Sequence, residues 1–329
     1  MLPMYGLHRN REAMSVTLTI TTFSLPHELW RHVVLYLPFD MMIVVRSVSH
    51  DLRNISNAIL DTEYNNLLNH AHLDAAPFRA LMSDTHAIIL GQIPLAHLFR
   101  EHPSTVTQVD VACPLHTFPI LLDRIKSEFH CTFSPFHKPS DPVILGKTSS
   151  DTAICLSHTP LDTPLALVPS DMVTIDSNAL THCSLISLYP SLTLNRRGLY
   201  GPHCDSPGTE VPWYESHGWL IHTSDGKWNE QPADTCYTPW CARGTRTVGD
   251  SHCLQLLFNY DDLTITHAYN TGTKFLPYDT SVQYQRGGRC NHDWSWRSWF
   301  GVNVVGIKPD GTFEEFPEDE QLLHIAHPV

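Results

Sequence analysis

From Leu25 onward the apolar positions fall into a helical rhythm. Leu29, Val33 and Leu37 recur every four residues, which places them on one face of a helix. Ser24 stands just before them, followed by Pro26 and Glu28, and this predicts a capped helix start. Pro38 predicts the end of that helix, because proline pushes the residue before it out of the helical region. Asp40 is the expected cap of a second short helix with Met41, Val44 and Val48 on its apolar face. A third helix is expected from Ser49, carrying Leu52, Ile55 and Ile59. A helical stretch over residues 61–73 reads as its continuation or as a connector. Residues 1–22 carry no such period and read as a poorly ordered leader.

The texture changes after Pro77. Ala87 to Leu90 is a short apolar run, followed by Gly91 and a helix with Leu95 and Leu98. Val106 to Val111 reads as a strand, and Leu115 to Phe129 as a helix with Phe118, Leu121, Leu122 and Ile125 in period. Ile144, Ala153 to Leu156 and Val173 to Ile175 suggest further strands. Such alternation predicts a mixed α/β or α+β architecture. A boundary is expected near residue 75 and a softer one near 204, where CDSPGTEVP is rich in turn residues. Residues 205–329 are rich in Trp, Gly, Cys and Asn, with short β-like runs such as Leu254 to Phe258 and Val302 to Ile307. They read as an irregular β-rich extension. No internal repeat is visible.

The stretch SLPHELWRHVVLYLPFDMMIVVRSVSHDLRNI sets Leu25, Pro26, Glu28 and Leu29 before Val33, Val34, Leu37, Pro38 and Asp40. Val44, Arg46, Val48, Ser49 and Leu52 follow. In this order the stretch resembles an F-box, over residues 23–60; His50 stands where that family commonly has Arg or Lys. A helical module of about 40 residues is too small to bury its own apolar surface. In F-box proteins the leftover stripe docks on the Skp adaptor, which is linked to a cullin scaffold. The resemblance implies adaptor contacts at Leu25, Pro26, Leu29, Val33, Leu37, Pro38, Val44, Val48 and Leu52. It further implies a non-catalytic substrate-receptor subunit of an SCF-type ubiquitin ligase, cytoplasmic or nuclear, whose remaining residues bind a protein target. An F-box adaptor acting outside ubiquitination fits the same residues. So does an ordinary helical cap packed on the rest of the chain.

Residues 78–201 carry a fainter pattern. Gly91 and Gln92 stand where a strand is expected to turn into a helix, and Gln108 and Asp110 lie two apart on the next expected strand. Residues i and i+2 share a strand face. The segment resembles the nucleotidyltransferase fold attached to some F-box proteins, in which an Asp-x-Asp pair holds Mg²⁺ on a nucleotide triphosphate. Here Gln108 replaces one carboxylate, and Gln92 replaces the small residue after the glycine. A neutral amide is a poor ligand for the cations of nucleotidyl transfer. The expectation is therefore a degenerate binding platform with no catalytic residue, the alternative being a nucleotidyltransferase-fold enzyme. The chain as a whole reads as multidomain α+β: leader 1–22, three-helix F-box 23–60, helical connector 61–77, α/β nucleotidyltransferase-like domain 78–204 and extension 205–329.

Composition narrows the partners. The net charge is −13 with no basic stripe, which argues against nucleic acid. The longest apolar run in the first half, Met41 to Val45, falls far short of the about 20 residues that span a bilayer. Nine cysteines and no secretory pattern suit a reducing intracellular location with free thiols. Cys236, Cys241 and Cys253 cluster, with His203, Cys204, His252 and Cys290 available, but the second Cys-x-x-Cys pair of a structural zinc site is missing. Buried thiols are the expectation there, and neither metal nor cofactor is expected. Trp294, Trp296 and Trp299, with Arg297 between them, are either a sheet face or an aromatic surface for a protein partner.

Overall fold

The computed structural model describes residues 25–134, 143–170, 173–199, 214–222, 245–248 and 250–258, and three short strands at 283–285, 305–307 and 313–315. The leader, Ser24, Cys204, Cys236, Cys241, Cys290 and the Trp294–Trp299 stretch lie outside the described residues.

Three helices open the fold: α1 (His27–Leu35), α2 (Phe39–Arg46) and α3 (His50–His70). Pro38, in extended backbone, occupies the cap position of α2. Asp40 therefore sits inside the first turn instead of capping it, where its carboxylate still meets the positive end of the helix. Ser49 caps α3, accepting a hydrogen bond from the Leu52 N–H at 3.2 Å. The third expected helix and the 61–73 stretch are one unbroken helix of 21 residues. α4 (Ala75–Thr85) follows, with Pro77 in its first turn, so the boundary expected at 77/78 falls within a helix.

A mixed eight-stranded sheet forms the centre. Its strands are β1 (Ile88–Leu90), β2 (Gln108–Pro114), β3 (Thr132–Phe133), β4 (Val143–Lys147), β5 (Ala153–Thr159), β6 (Asn178–Leu180), β7 (Ser184–Ser187) and β11 (Leu254–Leu257). They stand in the order β11-β7-β6-β1-β2-β5-β4-β3. β2 and β5 are parallel, and every other neighbouring pair is antiparallel. β1 and β2 are joined through α5 (Gln92–Phe99), and β2 runs on into α6 (Phe118–Glu128). Val173 to Ile175, expected as a strand, includes the start of a 3₁₀ turn at Thr174–Asp176. α7 (Pro190–Thr193) leads to β8 (Arg197–Leu199), which pairs in parallel with β9 (Leu220–His222). β10 (Thr245–Thr247), β12 (Gln283–Gln285), β13 (Val305–Ile307) and β14 (Phe313–Glu315) form a separate four-stranded sheet.

Alternation along β2 decides what each face of the sheet carries. Val109, Val111 and Cys113 pack into the helical layer, with Leu60, Tyr64, Phe78, Leu81 and Phe118. Ala112 turns to the opposite face, against Leu165, Val168, Ile186 and Leu192. The helical-side core is continuous from Val34, Phe39 and Met42 to Phe258. The N-terminal helices are thus not a separate bead. β11, expected in the extension, is an edge strand of the central sheet. The fold is mixed α+β.

Candidate functional site

Helix α1 buries one residue, Val34, and α2 buries Phe39 and Met42. Trp30, Ile43 and Val45 are half-buried against the core, and the other apolar side chains of this region remain in water. Leu25, Leu29, Val33, Leu35, Tyr36, Met41, Val44 and Val48 are exposed, from 40% for Leu25 to 82% for Tyr36. These are eight of the eleven large apolar side chains that stand exposed among the described residues. Single exposed apolar residues are ordinary, but a concentration of them marks an interaction surface.

Of the expected adaptor contacts, Leu25, Pro26, Leu29, Val33, Pro38, Val44 and Val48 lie on the exposed surface. Leu37 is half-buried against the core. Leu52 is a correction: it is 7% exposed, because α3 turns Leu52, Ile55 and Ile59 inward together. Four-residue spacing alone does not find Leu35 and Tyr36. The signal for them is that Val33 to Tyr36 is apolar without a break, more than one helix face can hide.

The α1–α2 turn is fixed by Arg100, the left-handed residue that ends α5. Its guanidinium donates to both Glu63 oxygens, at 3.0 and 3.1 Å from Nε. It also donates to the Leu35 carbonyl at 2.7 Å and to the Leu37 carbonyl. One half-buried cation thereby takes a carbonyl that the end of α1 leaves open and a second from the turn that follows it. Beside it a cavity of about 460 Å³ separates the turn from Leu98, Phe99 and Leu194.

Below α2 lies an aromatic group. His97 of α5 is 1% exposed and ringed by Phe39, Tyr64 and Phe258 at centroid distances of 6.2, 6.1 and 5.2 Å. Its Nε2 lies 3.0 Å from the Leu60 carbonyl, and its Nδ1 has no partner. Burial pushes its pKa down to about 4, so the ring is neutral and donates from Nε2.

The second candidate site is where β1 turns into α5. Gly91, at φ +69°, makes that turn, and Leu90 pairs with Asp110 on β2. A Cβ on Gly91 would collide with the Asp110 carboxylate. Gln108 donates from its amide to Asp110 at 2.5 Å. Gln92 accepts through Oε1 from the backbone N–H groups of Thr107 at 2.9 Å and Gln108 at 3.2 Å. All four sequence-identified residues therefore meet: Gln108 bonds to Asp110, Gln92 to nearby backbone, and Gly91 lies against the Asp110 carboxylate. Cys155, opposite Asp110 on β5, has its thiol pushed up to about 12 by burial, and the neighbouring carboxylate adds to this. A thiol held neutral is no nucleophile.

Cys253, from the expected cysteine cluster, lies 3.3 Å from the Arg246 guanidinium. Arg246 pairs with Asp250 at 2.7 Å. Burial favours the neutral acid, but the guanidinium outweighs it and holds Asp250 at about 2. No group of three His, Cys, Asp or Glu side chains that could hold a metal occurs among the described residues. No helix among them is long and apolar enough to cross a membrane. No family model, curated protein or solved structure matches the chain.

Proposed function

We propose that residues 23–60 are an F-box that docks on a Skp-type adaptor, and that the protein is the substrate-receptor subunit of an SCF-type ubiquitin ligase. The observation that carries this is the apolar surface of α1 and α2, with Leu25, Leu29, Val33, Val44 and Val48 in water. Leaving so many apolar side chains exposed has a solvation cost that a partner removes. The subunit does no chemistry of its own. It raises the concentration of a bound target near the ubiquitin-loading machinery on the cullin scaffold, in the cytoplasm or nucleus. The target is a protein held by residues 78 to 329.

The corner around Gly91 supports a receptor over an enzyme. Two-metal transfer needs carboxylates free to bind cations. Here one of the pair is an amide, and that amide donates to the other, Asp110.

The test is co-purification of the full chain with adaptor and cullin, beside a Leu25→Ala, Pro26→Ala, Leu29→Ala variant. The three side chains are exposed, so the variant is expected to keep its circular dichroism and lose the adaptor. Failure of the wild type to capture adaptor would reject the F-box reading. Capture of adaptor without cullin would replace the ligase subunit with an adaptor acting outside ubiquitination.

A further inference from the structure

We infer that the segment Leu254–Phe258 is the latch that holds α2 in place, so that the C-terminal part of the chain controls how the apolar surface is presented. The second half of this inference rests on the F-box reading. The first half stands on contacts within the chain.

The α1–α2 pair packs on the core, with Trp30, Leu37, Ile43 and Val45 partly buried against it. Val34, Phe39 and Met42 are its fully buried side chains. At its C-terminal end Arg46 reaches a distant part of the sequence, its guanidinium donating to the Leu257 carbonyl at 3.2 Å. These residues are 211 apart in sequence. The next residue, Phe258, is 1% exposed and meets His97 and Tyr64 at 5.2 and 5.8 Å. His97 in turn meets Phe39 at the start of α2. Both ends of α2 are thus tied to the same five residues, one by a hydrogen bond and the other through an aromatic relay. The segment is itself held as an edge strand on β7, by the Phe258 N–H to the Cys183 carbonyl at 2.9 Å, and by Leu256 and Phe258 buried in the core. An element that contacts both ends of α2 can bias it.

Hydrogen exchange on the full chain tests this directly. In Phe258→Leu, and independently in Arg46→Met, the amides of α2 should exchange about tenfold faster while those of α6 keep their protection. Ile125→Val, in the same core but under α6, is the control and should leave α2 unchanged. Unaltered α2 exchange in both latch variants would overturn the inference. Where the wild type captures adaptor, binding must slow exchange at Leu254–Phe258, since coupling is reciprocal. Adaptor affinity in Phe258→Leu should then fall about tenfold, as the competent state is depopulated. Faster α2 exchange with undiminished affinity would leave a latch but reject its control of docking. A wild type that ignores adaptor would reject the F-box reading, and the exchange result would still decide the latch.

Discussion

At the scale of single residues, two positions carry energy out of proportion to their size. Gly91 combines a left-handed φ of +69° with an approach to Asp110 that leaves no room for a Cβ. Gly91→Ala meets both the backbone strain and the clash, and the expected loss is about 2–3 kcal/mol. Urea midpoints of the two proteins check it. His97 is the second. Its folded pKa of about 4 lies below the ordinary 6.5, so the unfolded chain binds the extra proton. The contribution is complete above about pH 6.5 and disappears as pH falls toward about 4, a loss on the order of 3 kcal/mol. Arg100 and Arg79 add to the depression, and Asp61 opposes it. Replacing the ring by His97→Phe should remove that share of the acid sensitivity. Equal slopes of stability against pH over this window in both proteins would rule it out.

At the scale of elements, helix starts and helix stops are not equally legible. Ser49 announces α3 by its type, and it does cap it. The stops are silent because glycine is absent where the backbone turns left-handed. His72 ends α3, His86 ends α4 and Arg100 ends α5, all with φ between 52° and 57°. After α3 the Leu73 N–H bonds to the Leu68 carbonyl and the His72 N–H to the Asn69 carbonyl, the paired bonds of a Schellman ending. The same pairs close α4 at Met82 and Ser83, and α5 at Ala96 and His97. The sequence shows only ordinary histidines and an arginine, so these stops carry no glycine signal, and α4 itself is not predicted. His72 is exposed, and a glycine there removes the left-handed strain. His72→Gly should therefore raise stability by about 1 kcal/mol, read as a higher thermal midpoint. No gain would mean that the imidazole makes a compensating contact.

At the scale of the whole molecule, local pattern finds the helices of the first 60 residues and the strands β1, β2 and β5, but not how they assemble. β6 and β7 separate β1 from β11, and strands of three or four residues carry too little periodicity to reveal such distant pairing. The same blindness makes the N-terminal helices look detachable. The apolar surface of α1 and α2 is legible because nothing in its own sequence could cover it. The inner face of α3 is not, because its cover comes from α4, α5 and Phe258. This difference predicts the behaviour of a fragment. Residues 25–74 retain α1 to α3 but expose Leu60, Tyr64, Leu67 and Leu68, each 2% or less exposed in the full chain. At about 1.5–3 kcal/mol for each buried side chain, the loss is roughly 6–12 kcal/mol. That matches the about 5–15 kcal/mol by which whole domains are stable. The fragment is therefore expected to show collapsed amide dispersion by NMR and to bind adaptor weakly, although it contains the entire proposed docking surface. A dispersed spectrum from residues 25–74 would instead establish an autonomous module, with the continuous core an attachment and not a requirement.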